Sequence, residues 1–516
     1  MLLESILRCP AADSALRVVR SLQDAGYIAY FAGGCVRDAL LRRHAKDFDV
    51  ATNATPPIIR QIFGRGRTLA IGEAFGVISV LPNRDESGDA VEVATFRSDG
   101  EYSDGRRPDD VIFGNAEDDA ARRDLTINGL FYDPIARRMI DYVGGVDDLN
   151  ARRIRAIGTA ARRFEEDHLR LLRCARFATI LDFEIESQTA DAVRSGCANI
   201  QSVAGERVGA ELRRIFQSRN CAKGLWRMQT LGLAQFLFPS AMNIAEISDP
   251  NFADFAVRLT NQLHDSRELL PADAAADQQI SNWRRSDLFC IQIAATLLIH
   301  RPWFVEWIRS RNPPAIGDVL VGNQALRKVA GPDFKAVVGD LAERWKLANH
   351  EKLGILAALS TVSTFLFAGE LPWSEIQPKL ISASSLNGLI LADALATVTN
   401  AGPLRDNVRR LVDIVSSLTD EQLNPPPLIT GDQLNQAGVR PGPIMGRLMS
   451  RLRQMQLDGA FVERAHLREI DPASDEANPE PDAASLIVVG SLGATLDQQR
   501  RSAERRLKEI RQEFEK

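Results

Sequence analysis

A change of texture near residue 160 constrains this chain more than any other feature of its sequence. Before it, short β-branched runs at 28–32, 48–52, 76–81, 91–96 and 139–143 stand between glycine turns, the pattern of strands. After it, Arg, Glu, Leu and Ala recur with helical periodicity to about residue 470, and strand patterns largely disappear. Strands gathered at one end and helices at the other predict an α/β or α+β first domain over 1–150 and an all-α remainder. With 516 residues, 45% of them hydrophobic, the chain can bury several cores. Three consecutive prolines, Pro425 to Pro427, cannot sit inside a helix and set a boundary near 425. An acidic, Pro- and Ala-rich stretch at 471–485 then precedes a charged segment in which Leu496, Ala503, Leu507, Ile510 and Phe514 recur near helical spacing. The residues alone set a first domain over 1–150, a helical part up to the boundary near 425, a further segment to 470, and a linker with a terminal helix over 471–516.

Charge excludes one class of protein. The 63 basic residues are nearly balanced by 68 acidic ones, so a uniformly basic nucleic-acid coat is ruled out and any RNA site must be a local patch. The six cysteines form no C-x-x-C pair, which points to a reducing compartment. The longest apolar run, 288–299, is too short to span a bilayer. The expected location is the cytoplasm, with no membrane partner.

The chemistry is concentrated in Gly33-Gly34-Cys35-Val36-Arg37-Asp38 and, a short helical stretch later, Lys46-Asp47-Phe48-Asp49-Val50-Ala51-Thr52. Strand side chains alternate, so Asp47 and Asp49 share a face while Phe48 points into the core. Two carboxylates that close repel each other unless a cation intervenes. Magnesium, which takes carboxylate and phosphate oxygens, is the natural guest. Two such ions, roughly 4 Å apart, would clamp a triphosphate and activate an attacking hydroxyl for in-line displacement. Glycines at 33 and 34 let backbone amides approach phosphates.

Gly-Gly-x-Val-Arg-Asp followed by Asp-x-Asp resembles the signature of the DNA polymerase β-like nucleotidyltransferases, specifically the class II branch of tRNA CCA-adding enzymes and bacterial poly(A) polymerases. The resemblance implies an α+β molecule with a mixed-sheet head over 1–150, a helical neck over 151–224, a body over 225–424 and a tail over 425–470, with Gly33, Gly34 and Arg37 on phosphates. It continues at Val91 to Arg97, where it implies a third metal-site carboxylate from Glu92; a solvated strand-face residue is the alternative. Residues 97–108 resemble the mobile loop of these enzymes, in which Arg106 and Arg107 would steer triphosphate or RNA. Arg122-Arg123-Asp124-Leu125-Thr126-Ile127-Asn128-Gly129 resembles the family's RRDFTINA block, which implies nucleotide contacts from Arg123, Asp124 and Asn128. Asp141 to Leu149 resembles a hinge in which paired glycines permit movement; a plain turn is also compatible.

Arg163 to Arg170 resembles the family's E-D-x-x-R element at the start of the neck. Asp167 and Arg170, three apart, are expected to be neighbours on one helical face. Cytosine and adenine both present an amino donor beside a ring-nitrogen acceptor, which a carboxylate and a guanidinium complement. Uracil and guanine reverse the pattern, at about 1–3 kcal/mol per unsatisfied group. One Asp/Arg pair would thus select both bases, with Arg173 joined to the nucleotide-binding set; a surface ion pair is the alternative. Glu206 to Glu211 resembles the last neck motif, whose carboxylates would orient Arg170 or the loop. His264-Asp265 is an HD dipeptide, but no His-rich set stands upstream of it in the sequence, which argues against a metal phosphohydrolase domain.

The implied activity is addition of C and A from CTP and ATP to the 3′ end of tRNA, with the segment over 425–470 gripping the RNA. Poly(A) polymerase is the near alternative, though 68–80 looks like the CCA-adding type. A partial, A-adding enzyme and a catalytically silent RNA-binding module complete the set. Oligomeric state is left open.

Overall fold

The structure is a computed structural model that describes residues 10–45, 47–82, 89–99, 111–239, 247–269, 286–301, 304–306, 332–417, 423–436 and 439–458. Arg106, Arg107 and the segment from 459 onward lie outside the described residues. The chain divides into two compact units, 1–240 and 241–516.

In the first unit, strands β1 (Ala29–Ala32), β2 (Asp49–Thr52), β3 (Thr68–Gly72), β4 (Val77–Val80), β5 (Val91–Thr95), β6 (Arg97–Asp99), β7 (Val111–Phe113), β8 (Leu130–Asp133) and β9 (Arg138–Asp141) alternate with helices α1 (Pro10–Asp24), α2 (Gly34–Leu40), α3 (Pro56–Phe63), α4 (Ala116–Ala121) and α5 (Gly145–Asn150). Seven strands form one mixed sheet in the order β3-β4-β5-β2-β1-β8-β9, and β6 with β7 makes a separate antiparallel pair. The five strands expected from periodicity are present. Two sheet strands escape it, and β8 shows why: all four of its residues are buried, so no alternation marks it. Helix α1 lays Ala15, Val19 and Leu22 on the sheet, a stripe at helical spacing. Elsewhere Ala32, Ala51, Phe96 and Phe131 bury against Ala116 and Ala120 of α4.

The same unit continues through α6 (Ala160–Glu166), α7 (Leu169–Leu181), α8 (Ser187–Gly196), α9 (Gly205–Phe216) and α10 (Cys221–Thr230). Helix α7 is the centre of this part, with α9 and α10 packed on it. A two-residue parallel pair, Arg153–Ile154 with Glu184–Ile185, interrupts the helices.

The segment resembling a hinge is a tightly capped turn. Asp141 Oδ1 accepts from the amides of Val143, Gly144 and Gly145 at 3.0, 2.9 and 3.1 Å, and Oδ2 from Val146 at 2.9 Å. Gly144 needs its glycine for φ 75°, and Gly145 because a Cβ would lie 2.2 Å from the carbonyl oxygen of Thr126. Since that obstacle is backbone, Gly145→Ala is expected to lower unfolding stability by about 3 kcal/mol, measured by urea denaturation.

The second unit is helical throughout its described residues. A long helix, Pro250–Leu269, and the wholly buried Leu288–Ile299 pack with Asn349–Leu366 and Leu386–Val398. The last described helix, Pro443–Leu457, buries Leu448 and Leu452 against Leu428, Ile429 and Leu434. Arg453 and Gln456 donate to the carbonyls of Pro425 and Pro426 at 2.7 and 2.9 Å, so the proline run is tied down by side chains instead of a backbone ladder. Among the described residues, no helix is long and apolar enough to cross a membrane.

His300, at the end of Leu288–Ile299, is buried against the Phe252 ring at 4.8 Å. Its Nδ1 meets the Thr296 carbonyl at 2.7 Å and its Nε2 has no hydrogen-bond partner among the described residues, and burial pushes its pKa down to about 4. The unfolded chain takes up this proton near pH 6.5 and the folded one does not. The contribution is therefore complete above about pH 6.5 and falls away by about 3 kcal/mol as pH drops to about 4. Asp49, raised instead of lowered, works in the opposite sense over part of this range. The expected result is thus a difference: His300→Leu flattens the acid dependence of unfolding between pH 7 and 4.5 relative to the parent protein.

Candidate active site

The carboxylates are placed by strand register. β2 and β5 run parallel with Val50 beside Val93, which sets Asp49 and Glu92 side by side at the starts of their strands. Asp47 lies just before β2. Phe48, between the two aspartates, is buried edge-on against Phe31 at 5.4 Å, while Asp47, Asp49 and Glu92 keep contact with solvent. Partial burial pushes the Asp49 carboxyl up to about 6, reinforced by Glu92 and Asp47 and opposed by Arg123. Three carboxylates crowded in this way suit a divalent cation, whose charge would relieve the repulsion.

A second acidic group does not. Among the described residues, Asp287, His350 and Glu351 bring three ligand atoms within 4.8 Å of one another. Asp287 Oδ1 accepts from the Phe289 amide at 3.0 Å and Glu351 Oε2 from the Ala348 amide at 2.7 Å, so both carboxylates cap helices. Helix N-termini already supply their positive partners.

Around the first carboxylates the arginines are fixed by a chain of hydrogen bonds. Gly33 turns β1 into α2 with φ 69°, and a Cβ there would sit 2.6 Å from Arg123 Nη1. Its glycine therefore admits Arg123. Arg123 is held by Asp119 Oδ2 at 3.0 and 3.2 Å, by the Asn128 carbonyl at 3.0 Å and by the Phe131 ring at 5.1 Å. Burial alone would raise the Asp119 carboxyl, but Arg123 and Arg122 outweigh it and hold it below the usual range. Gly34 opens α2, and Arg37 in that helix donates to Asp38 at 2.8 Å and to Asn128 Oδ1 at 2.6 Å. Asn128 Nδ2 donates onward to Asp124 at 3.0 Å, and Asp124 accepts from Arg173 at 2.8 Å. Burial opposes ionisation of Asp124, yet Arg173 and Asn128 hold its carboxyl well below the usual carboxylate range. Arg173 also faces Glu211 at 3.7 Å, and Glu211 pairs closely with Arg176.

The pair expected to read the base is arranged differently from expectation. α6 ends at Glu166, Asp167 is extended (φ −145°, ψ 106°), and α7 begins at Leu169, so Asp167 and Arg170 do not share a helical face. Asp167 Oδ1 accepts from the Leu169 amide at 3.1 Å, and Oδ2 from Arg207 at 2.8 Å. Arg170 donates to Glu166 at 2.5 Å and to the carbonyls of Arg163 and Arg122, each at 3.1 Å. The last neck motif therefore does not hold Arg170. Its Glu206 is exposed, its Glu211 serves Arg173 and Arg176, and its Arg207 holds Asp167.

Sequence reasoning missed four contributors. Asp119 was legible from its i,i+4 spacing to Arg123, and Glu166 from the same spacing to Arg170. Arg207 carries no local signal, because Asp167 is 40 residues away; Phe177 meets Arg173 and Arg176 on its own helix, but its contact with Arg37 is remote in sequence.

Comparison with known proteins fits this geometry. Residues 29–155 match the poly A polymerase head domain, and 182–244 match the probable RNA and SrmB-binding site of polymerase A. The CCA-adding enzyme of Staphylococcus aureus is 38% identical over 220 residues, 42% of this chain and 53% of that one, so this alignment spans about half of the relative's length. The CCA-adding enzyme of Levilactobacillus brevis is 30% identical over 87% of this chain and 94% of its own. Poly(A) polymerase I of Haemophilus influenzae is 30% identical over 66% and 82%. In fold, the chain is similar to the crystal structure of the Bacillus stearothermophilus CCA-adding enzyme in complex with CTP, with TM-score 0.58, 23% identity, and 88% of this chain and 94% of that chain covered. With relatives of both names aligned along most of its length, the chain belongs to the family of class II tRNA CCA-adding enzymes and bacterial poly(A) polymerases.

Proposed function

We propose that this protein adds C and A nucleotides from CTP and ATP to the 3′ end of tRNA without a nucleic-acid template. The observation that carries the reading is the pair Asp167 and Arg170, each pinned by partners of its own. Each oxygen of Asp167 has one bond and retains acceptor capacity for an exocyclic amino group. Arg170 has five N–H donors, of which three meet Glu166 and the two carbonyls, leaving others for a ring nitrogen. Because both groups are anchored, a base with reversed donors and acceptors cannot be met by simple side-chain rotation.

Asp47, Asp49 and Glu92 fit magnesium as the divalent ion. When bound, it supplies neutralisation of phosphate charge and activation of the attacking 3′-hydroxyl. The chain's own residues orient the nucleotide: Arg37 and Arg123, each held by several partners, face the triphosphate with Gly33 and Gly34, while Asp124 and Asn128 set Arg173 and Arg37. In this reading Arg106 and Arg107, outside the described residues, steer triphosphate or RNA. Among the described residues, Cys35, Cys174, Cys197, Cys221 and Cys290 are free thiols, which accords with a cytoplasmic location.

The Haemophilus relative supports a second reading, poly(A) polymerase, with the same site chemistry and a different stopping rule. Labelled CTP, ATP, UTP and GTP offered with magnesium to tRNA transcripts lacking CCA, to transcripts ending in CC, and to an unstructured RNA separate the readings. Ordered C, C, A addition that stops supports the first, and open-ended A addition to any RNA the second. A-addition only to the CC transcript identifies a partial enzyme, and no incorporation leaves an RNA-binding module.

A further inference from the structure

Phe177 belongs to none of the motifs above, yet it stands among three arginines. Its ring centroid is 3.8 Å from the guanidinium carbon of Arg176, 5.0 Å from that of Arg37 and 5.4 Å from that of Arg173. The ring is 6% exposed and the Arg37 side chain 12%, so water competes little for that contact. Arg173 and Arg176 lie on its own helix and are neutralised by Asp124 and Glu211. Arg37 comes from α2, and its ionic partner is the adjacent Asp38. Asp38 moves with Arg37, whereas Asn128 Oδ1, which accepts from Arg37 at 2.6 Å, and the Phe177 ring reach Arg37 from outside its helix, and the ring can fix the plane of its guanidinium.

Spacing along α7 gives this contact a further meaning. Arg170, Arg173 and Phe177 stand at i, i+3 and i+7, which is one face of a helix, and the first and last are about 10 Å apart along its axis. One stripe thus carries the proposed base reader, the partner of Asp124, and the ring behind Arg37. We infer that Phe177 is a positioning residue for triphosphate binding, holding Arg37 by a cation–π contact and tying the phosphate site to the helix that reads the base. This rests on the proposed contact of Arg37 with the triphosphate.

The test compares Phe177→Leu, which keeps an apolar side chain without a ring face, with Phe177→Tyr, which keeps the face, and with Arg37→Gln. Binding of ATP, CTP and inorganic tripolyphosphate is titrated calorimetrically on the full chain with magnesium, alongside KM and kcat. Phe177→Leu is expected to weaken all three ligands by about 3- to 10-fold and raise KM for ATP and CTP equally. The preference for C and A over U and G stays unchanged, and Phe177→Tyr stays near the parent protein. A purely structural role would lower the melting temperature without separating Leu from Tyr in tripolyphosphate affinity, and that result would overturn the inference. So would unchanged binding in Phe177→Leu when Arg37→Gln weakens it. If Arg37→Gln itself leaves tripolyphosphate binding unchanged, the underlying reading of Arg37 fails and the inference falls with it. Phe177→Met serves as a second ringless variant should the leucine protein not fold.

Discussion

Asp49→Ala is expected to reduce nucleotide incorporation by at least about 1000-fold while leaving the fold intact, because it removes a carboxylate from the place where phosphate charge must be neutralised. The structural side of this expectation is specific. Asp49 retains solvent contact at the start of β2, its carboxyl is pushed up to about 6 by burial, Glu92 and Asp47, and the inward side of the segment is held by Phe48 against Phe31. Removing one of several mutually repelling charges costs no packing, so the melting temperature should stay level or rise. Asp47→Ala should behave alike. Single-nucleotide incorporation on a tRNA transcript, measured beside thermal unfolding by circular dichroism, checks both halves. Retained incorporation would remove Asp49 from the chemistry, and a collapsed fold would make its role structural.

Asp167→Asn should change the choice of nucleotide more than the rate of transfer. The substitution replaces one acceptor oxygen by an NH2 donor, the group that uracil O4 and guanine O6 can accept. Selectivity for CTP over UTP is expected to fall by about 10- to 100-fold, the effect of one or two mismatched polar groups in a desolvated site. Arg207→Met should move selectivity in the same direction by a smaller factor, since it leaves the carboxylate in place and removes the guanidinium that holds it at 2.8 Å. Competition assays with CTP and UTP together measure this directly. Unchanged ratios in Asp167→Asn would leave Asp167 as an ion-pair and capping residue and end its assignment as base reader.

The outcomes at Asp49 and Asp167 depend on different kinds of information. The sorting of Asp47, Phe48 and Asp49 into outward and inward side chains follows from their order in the chain, since a period of two is a property of the strand backbone itself. At Asp167 the same local logic failed. An i,i+3 spacing places two residues on one face only if a single helix runs through both, and here one helix ends at Glu166 and the next starts at Leu169. An aspartate just before a helix favours that break, because its side chain satisfies an otherwise unpaired amide.

The sequence by itself determined the division into a strand-bearing first part and a helical remainder, five of the strands and the outward placing of Asp47 and Asp49, because each is written in spacings of a few residues that the backbone period translates directly. It also determined that 33, 144 and 145 are glycines, although the reason became visible only with the Arg123 side chain and the Thr126 carbonyl beside two of them. The tertiary structure alone decided which charges meet: Arg207 with Asp167 across 40 residues, Arg173 with Asp124 across 49, and Arg37 with Asn128 across 91. A chain rich in Arg, Asp and Glu offers many pairings of nearly equal local merit. Which of them forms depends on the remote segments that sheet register and helix packing bring together, and no local period carries that information.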